Sequence, residues 1–99
     1  MIQKIYPSRV RDLVLSSLDE LKAVNPVTIN VKKLSSFTDY MMIASGTSSR
    51  HIQSIGEKVL EDLKSKKIKP LGVEGQGSEE WLLIDLGDVV LHLMSTNAR

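Results

Sequence analysis

The sequence predicts a single α/β domain in which two helices cover one face of a mixed β-sheet. Its 99 residues suit one hydrophobic core, and two amphipathic helical segments alternate with strand segments in the order α-β-β-α-β-β-β. Two helices can cover one face of such a sheet but not both faces. We therefore expect residues 1–94 to form one domain with an open sheet face, followed by a loose polar tail at residues 95–99.

Both helices are predicted from apolar side chains that recur at helical spacing. Pro7 is tolerated in a first turn and Asn25-Pro26 interrupts the pattern, so the first helix is expected from about Pro7 to Val24. The second helix follows the Gly46–Ser49 turn, which offers an N-cap hydroxyl. Its apolar positions are Ile52, Ile55, Val59, Leu60 and Leu63.

Five strand segments are predicted from short runs of apolar or alternating residues. They are residues 27–32, 40–44, 71–74, 81–86 and 89–94. The first alternates apolar and polar side chains, which predicts that Val27, Ile29 and Val31 face the helices. The last two are joined by the turn signal Gly87-Asp88, which predicts a β-hairpin.

The alternation of side chains along the hairpin predicts an outer face. Asp85 is polar, so it marks the side that faces away from the helices, and alternate residues on both strands share that side. The predicted outer set is Trp81, Leu83, Asp85, Val90, His92 and Met94. An uncovered surface of apolar and polar side chains usually marks an interaction site, and tryptophan is enriched at binding hot spots. Core packing is the alternative interpretation of Trp81.

Composition and motifs give no support for catalysis or metal binding. The absence of cysteine excludes disulfides and thiolate sites, and His51 and His92 lack metal-ligand spacing. No nucleophile is paired with a base, and no dinucleotide fingerprint is present. The charged N-terminal segment has neither a signal peptide nor a membrane span, so we expect a cytoplasmic protein without cofactors.

Two alternatives concern phosphate groups and nucleic acids. The Gly46–Ser49 turn could hold a phosphate at a helix N-terminus, although it lacks the Walker lysine and is explained more simply as a cap. Residues 1–69 carry a net charge of +5 and residues 70–99 a net charge of −4. An RNA-binding domain would need the positive half to form one continuous basic face. The acidic half instead suits a basic protein partner.

Three separated blocks of sequence resemble the Iojap family of ribosomal silencing factors (RsfS). They are DYMMIASGTSSRH at residues 39–51, EG at residues 74–75 and WLLIDLGDVVLH at residues 81–92. The resemblance covers most of residues 5–94. Two positions depart from the family pattern: Leu86 stands where the family usually has tyrosine, and Ser95–Arg99 replaces a Pro-Glu step and an aromatic-rich tail.

The resemblance implies a non-enzymatic factor that binds the large ribosomal subunit through ribosomal protein number fourteen. Such a factor blocks joining of the small subunit and represses translation, and family members are commonly homodimers when free. The implied fold is similar to that of nucleotidyltransferases without their catalytic acidic pair, so a vestigial nucleotide-binding domain is the alternative function. The residues expected to bind the partner are Trp81, Leu83, Asp85, Asp88, His92, Tyr40 and Glu74. Little or no direct reading of nucleic-acid bases is expected.

Overall fold

A computed structural model describes residues 6–78 and 80–98. Within these residues the chain forms α1 (Pro7–Glu20), β1 (Val24–Asn30), β2 (Tyr40–Gly46), α2 (Ser49–Ser65), β3 (Gly72–Glu74), β4 (Trp81–Asp85) and β5 (Val89–Ser95). This order confirms the predicted succession of elements. After β5, residues 96–98 form a turn in which the Thr96 N–H donates to the Gly46 carbonyl. Arg99, the last residue of the predicted tail, lies outside the described residues.

The strands form one mixed sheet in the order β1-β2-β5-β4-β3. The central pair, β2 and β5, is parallel, and the other neighbouring pairs are antiparallel. The predicted hairpin is confirmed, with Trp81 opposite Met94 at its open end and Asp85 opposite Val90 at its turn. In the turn, the Gly87 N–H donates to Asp85 Oδ1 at 2.8 Å, and Gly87 has a φ of +84°. A glycine tolerates that left-handed backbone without strain.

The first helix ends at Glu20, so the prediction that it continues to Val24 was wrong. Lys22 adopts a left-handed φ of 56°, and the Ala23 N–H donates to the Leu18 carbonyl, which closes the helix C-terminus. Val24 already pairs with Ser45 of β2. The apolar spacing therefore continues into the strand and does not mark where the helix ends.

The second helix begins as predicted, because the Ser48 side chain accepts a hydrogen bond from the His51 N–H at 3.0 Å. Its apolar positions Ile52, Ile55, Val59 and Leu63 are fully buried. The last turn carries Lys64, which suits the negative end of the helix dipole. In the described part of the chain, no helix has the length and apolar character needed to cross a lipid bilayer.

One hydrophobic core lies between the two helices and one face of the sheet. From the sheet, alternate residues point into this core: Tyr40, Met42 and Ala44 from β2, Leu82 and Ile84 from β4, and Val89, Leu91 and Leu93 from β5. Leu86, at the end of the hairpin, is partly buried against the same core. The helices therefore cover one side of the sheet, as predicted.

A polar cluster joins the two helices at the edge of this core. The buried Ser17 hydroxyl donates to Asp62 Oδ2 at 2.6 Å. Lys58 Nζ lies 3.1 Å from Glu20 Oε2 and 3.2 Å from Asp62 Oδ1. The Ser17 hydrogen bond, helped by Lys58, holds the pKa of Asp62 below its usual value, because both stabilise the ionised carboxylate. These contacts fix how α1 sits on α2.

Candidate partner-binding surface

The hairpin presents one buried side and one accessible side, as its alternation predicted. Along β4, Leu82 and Ile84 are buried, whereas Trp81 is 45% exposed and Leu83 is half-buried. Along β5, Val90, His92 and Met94 are half-buried between fully buried neighbours. We call the side of the sheet that faces away from the helices the open face. It contains the whole predicted outer set, which is Trp81, Leu83, Asp85, Val90, His92 and Met94.

The open face also includes two β1 residues that were predicted to face the helices. Val27 pairs with Ile43 and Ile29 pairs with Met41, and directly opposite residues of paired strands project to the same side. Ile43 in turn lies opposite His92, so all of these residues share the open face. The prediction that Val27 and Ile29 point toward the helices was therefore wrong.

The error has a physical reason. Alternation separates the two sides of a strand, but it does not say which side is covered. β1 is one of the two edge strands of the sheet. Both of its sides are largely exposed: Val27 and Ile29 are 41% exposed on one side, and Thr28 and Asn30 are exposed on the other. Val31, the third residue of the predicted set, lies after the strand ends, where its N–H donates to the Asp39 carbonyl.

As a result, the open face is apolar across four adjacent strands. Its apolar members are Val27 and Ile29 from β1, Met41 and Ile43 from β2, Val90 and Met94 from β5, and Trp81 and Leu83 from β4. Sequence reasoning missed Met41 and Ile43 because their strand reads as a continuous apolar run without alternation. The pairing of β2 with the hairpin was the missing information.

Acidic side chains lie at the β3 and turn end of this surface. Glu74 is exposed and sits opposite Leu83, next to the hairpin on the same side. Asp85 is half-buried on β4, and Asp88 is exposed in the hairpin turn. Glu74 and Asp85 therefore lie beside Leu83 on the open face, and Asp88 lies at the turn end of the hairpin. The β1 half of the open face carries no acidic residue within its described strand.

Tyr40 does not belong to this surface. It lies on the helix-facing side, directly between Asn30 and Val89 in the sheet, and is only 6% exposed. Its ring is flanked by the Arg11 guanidinium at 4.9 Å and by Lys32 Nζ at 5.2 Å from the ring centroid. These distances are typical of cation–π contacts. The structure therefore separates Tyr40 from the six other residues of the expected partner-binding set.

The Trp81 side chain is held against the backbone of Gly75. A Cβ atom at that position would lie 2.7 Å from the Trp81 carbonyl oxygen and 2.9 Å from Cε3 of the indole ring. Gly75 also has a φ of +87°, which favours glycine. The glycine of the Glu74-Gly75 pair thus gives the indole room to lie close to the chain, with nearly half of its surface exposed.

The Gly46–Ser49 turn uses its polar groups within the protein. The Thr47 N–H donates to Nδ1 of His51 at 2.9 Å, and the Ser48 hydroxyl caps α2. The other ring nitrogen of His51 lies 2.8 Å from the Leu21 carbonyl. These contacts agree with the capping interpretation of the turn. Among the described residues, no group of three or more His, Cys, Asp or Glu side chains is placed to hold a metal ion.

Comparison with models of protein families matches residues 6–99 to the family described as "Ribosomal silencing factor during starvation" (RsfS). The chain belongs to the RsfS family. This match confirms the resemblance to the RsfS family that the three sequence blocks indicated.

Relatives of this RsfS family member occur in bacteria and in organelles. The chain is 33% identical to the ribosomal silencing factor RsfS of Haemophilus influenzae, covering 89% of the chain and 86% of that protein. It is 36% identical to the RsfS of Zymomonas mobilis, covering 94% of the chain and 70% of that protein. It is also 33% identical to the mouse protein "Mitochondrial assembly of ribosomal large subunit protein 1", covering 89% of the chain and 40% of that protein.

Solved structures show the same fold. A crystal structure from Chromobacterium violaceum superposes with a TM-score of 0.89 at 31% identity, over 92% of this chain and 76% of that one. A crystal structure from Bacillus halodurans superposes with a TM-score of 0.87 at 30% identity, over 93% of this chain and 86% of that one. Two helices on one face of a mixed five-stranded sheet are therefore a shared feature of this RsfS family member and its structural neighbours.

Proposed function

We propose that this RsfS family member binds the large ribosomal subunit through its open face and so represses translation. The observation that carries the proposal is the apolar surface that extends from Ile29 to Trp81 and is left uncovered by the described residues. Large apolar surfaces with a polar rim are typical of interaction sites. The family membership supports a ribosomal target, and the name of the mouse relative points to the large subunit.

The partner that suits this surface is a basic protein. Trp81 and Leu83 are the apolar anchors, and Asp85, Asp88 and Glu74 face basic side chains of the partner at the edge. Charge complementarity of this kind favours encounter and orientation more than it adds affinity. Ribosomal protein number fourteen, which the family resemblance implies, is the partner that we propose. Contact of this kind needs no direct reading of nucleic-acid bases.

The mechanism is steric and needs neither a cofactor nor a catalytic group. A factor that occupies the surface where the subunits meet binds free large subunits and not joined ribosomes. It therefore shifts the equilibrium away from joining by as much free energy as its binding to free subunits supplies. We place this action in the cytoplasm. When no ribosome is bound, we propose that two copies form a homodimer.

Sedimentation with purified large subunits tests the proposal. We expect the wild-type chain to migrate with the subunits, and Trp81→Ala to bind at least tenfold more weakly, since truncating a tryptophan hot spot typically costs about 2 kcal/mol or more. Tyr6→Ala is the matched control, because Tyr6 is an aromatic residue that is 57% exposed at the start of α1, away from the open face. Wild-type binding by Trp81→Ala, or no migration of the wild-type chain, would contradict the proposal.

The acidic edge can be tested separately. Asp85→Asn combined with Asp88→Asn should reduce the dependence of binding on salt, because exposed charge pairs are screened over roughly 10 Å at 0.1 M salt. Unchanged salt dependence would argue against a basic partner at this edge.

A further inference from the structure

His92 lies near the middle of the open face. In the sheet it sits between Ile43 of β2 and Leu83 of β4. Along its own strand the neighbours on the same side are Val90 and Met94, so the imidazole is framed by four apolar side chains. The side chain is half-buried in the free protein. Among the described residues, no hydrogen bond or ion pair of the His92 ring is found, and the ring is therefore left to water or to a partner.

The charged groups that could offset a positive charge on His92 are few. On the open face of β4, Asp85 is the diagonal neighbour, and such neighbours are roughly 7–8 Å apart. Asp85 Oδ1 already accepts the Gly87 N–H. On β2 the diagonal neighbours Met41 and Ser45 carry no charge. Glu74 is one strand further away, opposite Leu83.

Docking changes the environment of His92 in two ways. A partner on the open face removes the water that solvates the ring, and desolvation disfavours the charged form of a histidine. A basic partner adds positive charge nearby, which disfavours the charged form again. The neutral imidazole does not incur either cost, and its N–H can donate to an acceptor on the partner.

We propose that His92 makes the docking of this face dependent on pH, so that binding requires the neutral imidazole and weakens on acidification. This inference rests on the proposed function, because it concerns the same surface and the same basic partner. Histidine is the side chain whose charge changes between pH 5 and 8. If only the neutral form binds, the apparent affinity falls in proportion to the neutral fraction. We therefore expect the wild type to bind progressively more weakly as the pH is lowered from 7.5 to 5.5.

Binding to large subunits is measured from pH 7.5 to 5.5 for the wild type and for His92→Gln. The amide keeps a polar side chain at this position but does not titrate, so the pH dependence should largely disappear in His92→Gln. Met94→Gln is the matched control, because it puts the same amide on the same face and keeps His92. It should retain the wild-type pH dependence. Circular dichroism at each pH confirms that each variant stays folded.

Calorimetry at pH 6.5 in buffers of different ionisation enthalpy gives a second measurement. The wild type should release more protons on binding than His92→Gln does. An equal pH slope for wild type and His92→Gln, or tighter wild-type binding at low pH, would overturn the inference. The first result would mean that other groups set the slope, and the second that a partner carboxylate pairs with His92. Absence of wild-type binding at pH 7.5 would instead refute the proposed function itself.

Discussion

Gly75→Ala tests how the Trp81 anchor is positioned. The added Cβ would lie 2.7 Å from the Trp81 carbonyl oxygen, 2.9 Å from Cε3 and 3.0 Å from Cζ3 of the indole ring. Carbon atoms pack best at about 3.5–4.0 Å, so the methyl group would overlap both the ring and the backbone. The ring can swing outward, but the carbonyl belongs to β4 and has less freedom. We therefore expect the indole to leave its position against residue 75.

Gly77 supplies a matched control for the backbone. Its φ is +91°, close to the +87° of Gly75, but a Cβ at Gly77 would have nothing within 4 Å. Alanine in a left-handed conformation costs about 1–2 kcal/mol, and this cost applies to both variants. Overlap in a packed site typically costs about 1–3 kcal/mol more, and this second cost applies to Gly75→Ala alone. The difference between the two variants isolates the contact with Trp81.

The assay uses the fluorescence of Trp81, which is the chain's only tryptophan. Gly75→Ala should shift the emission and increase quenching by acrylamide, and Gly77→Ala should leave both close to wild type. Urea denaturation should show a larger loss of unfolding free energy for Gly75→Ala. Binding to large subunits should weaken about tenfold in Gly75→Ala, since a displaced anchor loses part of its contact. If the two variants match in emission, stability and binding, Gly75 does not position the indole.

Two further variants separate stability from binding. Ser17→Ala should lower the unfolding free energy by about 1 kcal/mol at pH 7, because the hydroxyl that bonds Asp62 is removed. Because the pKa of Asp62 is lowered in the folded state, ionised Asp62 stabilises the fold at pH values above 3.8, the usual pKa of the group. This stabilisation is lost as the pH falls through the pKa of Asp62 in the folded protein. The Ser17→Ala deficit measured by denaturation should therefore shrink in acid, and a constant deficit would show that it comes from elsewhere. Val27→Thr combined with Ile29→Thr should change the unfolding free energy by less than about 1 kcal/mol, since both side chains are 41% exposed. The same double variant should weaken subunit binding, because both residues belong to the open face, and unchanged binding would confine the partner to the hairpin half.

The sequence was sufficient to predict the hairpin and its outer face, because Asp85 interrupts an apolar run at one position and the Gly87-Asp88 turn sets the register. The cap of α2 was predictable for a similar reason, since Ser48 bonds a backbone group only three residues away. These features depend on local contacts. The family blocks added the expected target, which the periodicity of apolar residues alone does not reveal.

The features that could not be predicted depend on contacts between segments that are distant in sequence. The side occupied by Ile29 is decided by its pairing with Met41, twelve residues later, and by the position of β1 at the edge of the sheet. Tyr40 lies inside the block at residues 39–51 that resembles the RsfS family. Because that block contains both core and surface positions, the resemblance alone does not tell which of the two Tyr40 is. Its burial follows from the parallel pairing of Tyr40 with Val89, which joins two strands separated in sequence by α2, β3 and β4.

The distribution of apolar residues between the two sides of the sheet bears directly on function. The helix-facing side alone supplies a closed core, and its members on β4 and β5 are almost completely buried. The stability of the fold therefore does not require Ile29, Ile43 and Trp81 to be apolar on the other side, where water-exposed strands of antiparallel sheets usually carry polar residues. Their apolar character increases the tendency to associate while contributing little to the isolated fold. We propose that a partner covers this surface and that the acidic residues at one edge help to select that partner.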